Sequence, residues 1–187
     1  MSFRGKSLML GDASVGKTSL LARYIDDTFQ DTYQATIGAN FLIKEVDLKK
    51  IIDGLDIRKE LKSDIKKKGF KLYWWDIGGQ KDKLLSNEYY FQQSIGAMVV
   101  FDIVNRESFD NIEFWISKLQ ELSGKVPFIL VGNKLDQAEN RAITKQEAQE
   151  KADEYGVKYI ETSAKKDQNV DNAFEMLAIL ILNTFTD

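Results

Sequence analysis

Apolar positions along the chain follow two rhythms. Short, nearly continuous apolar runs alternate with stretches in which apolar residues recur every three or four positions. The runs read as strands. One begins near Phe3 and closes over Ser7 to Leu10; Phe41, Ile43 and Val46 to Leu48 mark a second, and Phe70 to Trp75 a third. Ala97 to Asp102 and Phe128 to Val131 are continuous enough to be buried on both faces, and Val157 to Ile160 is a last short strand. The intervening segments carry helical spacing. These are Lys17 to about Ile25, the set Phe109, Ile112, Ile116 and Leu119, and the terminal set Val170, Ala173, Phe174, Leu177, Ala178 and Ile181. Thr144 and Glu147 form a capping box that opens a further helix reaching about Tyr155.

Strands alternating with helices of this length predict βαβ crossovers and an α/β fold of three layers. About six strands and about five helices are expected, in a mostly parallel sheet covered on both faces. Strands two and three form the antiparallel exception. The length of 187 residues fits one domain spanning 1–187. An insertion at about 49–69, KKIIDGLDIRKELKSDIKKKG, separates strands two and three. It holds eight Lys/Arg against four Asp/Glu, and Leu61 and Ile65 sit four apart, as on one face of a short helix. It reads either as a solvated hairpin extension or as an interaction arm for a protein partner or an acidic membrane surface.

Composition narrows the chemistry. The chain has no cysteine, which excludes disulfides and thiolate metal sites, and no histidine, which removes the usual general base. The net charge of −3 argues against nucleic acid or an anionic membrane as the main partner. The N-terminus lacks the pattern of a signal peptide, and the apolar stretch Met176 to Leu182 is too short to span a bilayer. The expectation is a cytoplasmic, monomeric protein.

Residues 11–18 read GDASVGKT, a complete G-x-x-x-x-G-K-[ST] between a strand and a helix. Gly11 and Gly16 supply backbone freedom. The N–H groups of Ser14, Val15, Gly16, Lys17, Thr18 and Ser19 then converge on phosphate oxygens, helped by the positive helix end. Lys17 brings a point charge to the β and γ phosphates, and the Thr18 hydroxyl a ligand for Mg²⁺. The loop alone specifies a nucleoside triphosphate without naming the base.

Four more segments do that: YQATIG at 33–38, WDIGGQ at 75–80, NKLD at 133–136 and ETSAK at 161–165. With the phosphate loop they resemble the small GTPases of the Ras superfamily, most of all its Rab branch, over nearly the whole chain outside the insertion. The resemblance implies a P-loop G domain binding GTP and GDP with Mg²⁺. Thr36, eighteen residues after Thr18, would complete the metal shell and touch the γ-phosphate. Phe29 would stack on the guanine edge and Tyr33 close over the phosphates. Asp76 would hold Mg²⁺ through a water, and Gly79 would approach the γ-phosphate with its N–H. Gln80 would orient the attacking water, so that Gln80, Lys17 and Thr36 form the catalytic set. Asp136 would accept from guanine N1–H and the 2-amino group, a pairing that adenine cannot offer. Asn133 and Lys134 would support that loop, the Ala164 N–H would bind guanine O6, Ser163 would order its turn and Lys165 would pack over the base. Effectors, an exchange factor and a GTPase-activating protein are the implied partners, with any recruitment to membranes running through them.

Several positions depart from the Rab pattern. Ile77-Gly78 replaces the usual Thr-Ala and looks Arf-like, and Lys81-Asp82-Lys83 replaces Glu-Arg-Phe. Ala13 stands where Ras has glycine, so its methyl is expected to crowd Gln80 or an incoming arginine and slow hydrolysis. Arg23 and Arg106 are candidates for a built-in arginine by composition alone. The ending NTFTD carries no prenylation cysteine, so no direct lipid anchor is expected in this chain, either because its C-terminus is trimmed or because its branch is not lipidated. A rival reading is a nucleotide-bound interaction module without turnover; a P-loop kinase or ATPase is a further rival that NKLD and ETSAK oppose.

Overall fold

The computed structural model describes residues 3–30, 36, 38–46, 52–54, 57–80 and 88–185. Among the described residues six strands are present: β1 (Phe3–Leu10), β2 (Ala39–Val46), β3 (Phe70–Ile77), β4 (Ser94–Asp102), β5 (Phe128–Asn133) and β6 (Lys158–Glu161). They form one sheet in the order β2-β3-β1-β4-β5-β6. All neighbours are parallel except β2 and β3, which pair antiparallel from Ala39 opposite Ile77 to Val46 opposite Phe70. Among the described residues six α-helices accompany them: α1 (Lys17–Asp26), α2 (Lys59–Lys68), α3 (Arg106–Asp110), α4 (Ile112–Ser123), α5 (Lys145–Glu154) and α6 (Val170–Asn183).

The apolar spacing of the helices decides which sheet face each one covers. Leu20 and Leu21 of α1, Leu61 and Ile65 of α2, and Phe174, Leu177 and Ile181 of α6 join Met9, Trp74, Met98 and Val131 on one side. On the other side Phe109, Ile112, Trp115 and Leu119 of α3 and α4, with Ala148 and Ala152 of α5, pack on Leu8, Leu10, Val99 and Phe101. Alternate residues of β1 and β4 therefore serve opposite cores, which is why Leu8 to Leu10 and Ala97 to Phe101 read as unbroken apolar runs.

Local signals set several boundaries. The Thr144 hydroxyl caps α5 by accepting from the Glu147 N–H at 3.1 Å. The Glu147 carboxylate pairs with Arg106 and also draws on the Thr144 backbone N–H, as the expected box requires. The single helix expected through Phe109 and Leu119 is two, joined at Asn111, which ends α3 and precedes α4. The lysine-rich segment contains α2, whose Leu61 and Ile65 are both buried in the core.

β1 sits mid-sheet, with β3 on one side and β4 on the other. Its C-terminal end is thus the point where the chain's crossovers diverge, the position at which open α/β sheets form their binding crevice. The phosphate loop occupies that point.

Candidate nucleotide site

Gly11 and Gly16 both adopt positive φ, 134° and 98°. Space is as demanding as conformation here. A Cβ on Gly11 would lie 2.1 Å from the Val100 carbonyl oxygen, and one on Gly16 would lie 2.2 Å from Asn133 Nδ2. Gly16 is also the N-cap of α1, so the helix N-terminus opens directly onto the loop.

Lys17 is buried beneath the loop, where its ammonium donates to the carbonyls of Gly11 and Asp12, both at 2.8 Å. Burial pushes the ammonium down to about 8, against the opposing pull of Asp76 and Asp12. The loop itself is braced from outside. Asp12 accepts from Trp115 Nε1 at 2.7 Å and from Asn111 Nδ2 at 2.5 Å. The sequence reading missed this pair, since nothing local marks a phosphate-loop acid as facing residues about a hundred positions away.

Thr18, Thr36 and Asp76 converge. The Thr18 hydroxyl lies on Asp76 Oδ2 and 2.9 Å from the Thr36 hydroxyl, which is itself 3.4 Å from the same carboxylate oxygen. Asp76 is fully buried, and its Oδ1 finds no hydrogen-bond partner among the described residues. Burial raises the Asp76 carboxyl pKa, opposed by the hydrogen bond from Thr18, the Lys17 charge and the hydrogen bond from Thr36. Two hydroxyls and a carboxylate with a spare oxygen are an all-oxygen set suited to a hard divalent cation such as Mg²⁺.

The loop after β3 closes the site by backbone approach. Gly78 donates its N–H to the Gly38 carbonyl at 2.8 Å. Gly79 lies against the phosphate loop, where a Cβ would fall 2.1 Å from the Ala13 nitrogen.

At the far end, Asn133 joins three loops. Its Nδ2 donates to the Val15 carbonyl at 2.9 Å, and its Oδ1 accepts from Thr162 Oγ1 at 3.2 Å and Ala164 N–H at 3.3 Å. The Ser163 hydroxyl donates to Asp136 Oδ1 at 2.6 Å and accepts from the Lys166 N–H at 3.0 Å. Lys134 reaches back to Asp102, 2.6 Å away at the end of β4.

A cleft of about 400 Å³ runs between these ends. Ser14, Gly16, Lys17, Thr18, Ser19, Phe29, Thr36, Gly79, Gln80, Asn133, Lys134, Asp136, Ala164 and Lys165 line it, together with Ala13. Val15, Asp76 and Ser163 are buried behind the lining. Phe29 lines the cleft while packing against the core. Tyr33 and Lys81 to Lys83 lie outside the described residues.

A model of the Ras family matches residues 6–183. The chain belongs to the Ras family. Curated relatives agree with that placement. Ras-related protein Rab-8B of Homo sapiens is 38% identical over 174 residues, covering 92% of this chain and 76% of the relative. Ras-related protein Rab-8 of Diplobatis ommata is 40% identical, covering 92% and 75%. Ras-related protein Rab-13 of Bos taurus is 38% identical over 178 residues, covering 95% and 79%. This is a Rab-like small G protein of the Ras superfamily, a class of GTP-binding GTPases.

Neither candidate arginine of this Ras-family chain is available to the cleft. The Arg23 guanidinium donates to the carbonyls of Ala164, Asp27 and Lys165 and pairs with Asp27. Arg106 is held by both carboxylate oxygens of Glu147 and by the Ala142 carbonyl. A second feature passed unnoticed in the sequence. Phe41 stacks on Tyr73 and tilts against Trp75, Trp75 meets Tyr90, and Tyr90 meets Tyr89. Phe41 and Tyr89 are 47% and 56% exposed, so this aromatic row lies on the surface near the ends of YQATIG and WDIGGQ.

Proposed function

We propose that this Ras-family protein is a molecular switch that binds GTP with Mg²⁺, hydrolyses it to GDP and phosphate, and signals through segments 32–38 and 79–90. The convergence of Thr18, Thr36 and Asp76 beside Lys17 is the observation that carries the reading. Thr18 and Thr36 reach that point from opposite sides of the cleft, so a contact that depends on the terminal phosphate would hold Thr36 in place and its loss would release it. Mg²⁺ would be held by Thr18, Thr36 and Asp76, where it would neutralise charge on the phosphates.

The remaining roles follow from position. Lys17 exchanges backbone carbonyls for phosphate oxygens, a modest change because its charge is already desolvated. Gln80 lines the cleft beside Ala13 and orients water; it is not a base, so turnover rests on positioning. With Arg23 and Arg106 engaged elsewhere, intrinsic hydrolysis is slow and an activating protein supplies the missing cation. Asp136 and the Ala164 N–H read guanine. The aromatic row of Phe41, Trp75 and Tyr90 is the effector face, and the likeness to Rab proteins supports a role in membrane-trafficking-like processes.

The second reading, a bound module without turnover, draws on the Ala13 methyl and on Gly79 packed against the same loop. Two measurements separate them. Guanine nucleotide is expected to copurify with the protein. Single-turnover phosphate release is expected to fall at least about tenfold in Gln80→Leu while GTP binding persists. Equal release rates in the two proteins would remove Gln80 from the mechanism, and adenine nucleotide in the preparation would overturn the base assignment.

A further inference from the structure

The lysine-rich insertion is a displayed surface. Its helix α2 turns Leu61 and Ile65 inward, where they join Ile52, Ile57 and the α6 residues Phe174, Leu177 and Ile181. This anchoring fixes the outer face as part of the body of the protein. That face carries Arg58, Lys59, Lys66, Lys67 and Lys68, all exposed, with Lys62 half-buried beside them. Some of this charge is compensated. Lys66 pairs with Asp53, Lys68 pairs with Asp64, and Lys62 donates to the Asp53 carbonyl. The segment still carries eight basic against four acidic residues within a chain of net charge −3. The acidity that argues against a globally basic binder is therefore reversed at this one place.

Helix stability does not account for the arrangement. Lysines in the last turn and Glu60 in the first suit the helix dipole, but Arg58 and Lys59 stand beside Glu60 at the positive N-terminal end, where cations are unfavourable, and no side chain caps that end. Charge retained against the local preference points to an external partner.

Topology shows where it faces. α2 passes through Gly69 directly into Phe70, the first residue of β3, whereas the cleft lies beyond the opposite end of that strand. α6 runs back from the cleft side, and Phe185 just after it packs against the core that α2 joins. The basic face thus stays open whatever occupies the nucleotide cleft or the aromatic row.

We propose that α2 docks this protein onto an anionic phospholipid surface. Five of the six basic residues from 58 to 68 are lysines, strongly hydrated point charges, where a bidentate protein or nucleic-acid contact would favour arginine. None of the exposed residues of α2 is aromatic, so nothing there would stack on bases. Diffuse attraction to a charged plane needs neither feature, and clusters of four to eight Lys/Arg on a helix suit it.

Sedimentation of the full chain with vesicles tests this. Binding is expected to vesicles containing about 30% phosphatidylserine, absent with pure phosphatidylcholine, and lost in high salt. Lys59→Glu with Lys67→Glu is expected to weaken binding at least about tenfold, and Lys59→Gln with Lys67→Gln less, with guanine-nucleotide binding and melting temperature unchanged. Equal binding to both vesicle types, or to polyglutamate as to the anionic vesicles, would overturn the proposal, as would reversal variants that bind like the parent.

Discussion

Trp115 Nε1 donates to Asp12 Oδ1 at 2.7 Å, so the phosphate loop is held from outside by a buried indole of α4. Asn111, between α3 and α4, holds the other carboxylate oxygen. Asp12→Ala removes both bonds and leaves the indole N–H buried and unpaired. A stability loss of about 1–3 kcal/mol is expected in denaturant unfolding, with faster release of a fluorescent GDP analogue. Trp115→Phe, which keeps most of the volume, should show the same direction with a smaller effect. Parent-like unfolding and release in Asp12→Ala would show the link to be idle.

Gly78 offers a different test. Its φ lies outside the left-handed region, so alanine suits the backbone there. A Cβ would nonetheless lie 2.7 Å from the Thr36 carbonyl oxygen and 3.0 Å from that of Gly38. Gly78→Ala is expected to push the Thr36 segment outward. The GTP form should then need several-fold more Mg²⁺, while GDP affinity and melting temperature change little. Titrating Mg²⁺ against nucleotide release in both forms reads this directly, and identical curves for parent and variant would count against it.

Base selection should rest on Asp136. Its Oδ1 is oriented by the Ser163 hydroxyl at 2.6 Å, which fixes the carboxylate towards the cleft. Asp136→Asn replaces an acceptor-only group with one that also donates. Preference for GTP over ATP is expected to fall at least about tenfold in competition binding. Ser163→Ala, which frees the carboxylate without removing it, should lie between the variant and the parent.

Acid should loosen the base loops through Glu161. Burial opposes its charge, but hydrogen bonds from Arg141 at 2.6 and 3.0 Å and from Tyr159 at 2.8 Å, with the Arg141 charge, hold its carboxyl below the usual glutamate range. The folded state therefore favours the ion more than the unfolded chain does. This contribution is complete above the ordinary glutamate pKa and disappears as pH falls through the lower folded value. Glu161→Gln should be less stable than the parent near neutrality, and the difference in melting temperature should shrink as pH drops through that range. A gap independent of pH would exclude Glu161 as the titrating group.

Strand order in the chain, the antiparallel β2–β3 pair and the start of α1 were legible because each depends on neighbours close in sequence. The phosphate loop was legible for the same reason. Asp12 with Trp115, and Phe41 with Trp75 and Tyr90, were not, because each joins residues that only the completed sheet brings together. The Leu61 and Ile65 spacing of α2 was visible, but its burial depends on α6, more than a hundred residues on. Arg106 shows the same limit from the other side: composition made it a catalytic candidate, and its pairing with Glu147 of α5 takes it away.

Asn133 carries the last consequence. Because one amide side chain bonds the phosphate loop at Val15 and the ETSAK segment at Ala164, the two ends of the cleft form a single rigid gauge. A guanine base offered alone, or a pyrophosphate offered alone, would meet a surface already set to the span of the whole nucleotide. On the proposed function, little ordering would be left for the ligand to impose, and the selectivity of the site would include the length of the molecule as well as the chemistry of its ends.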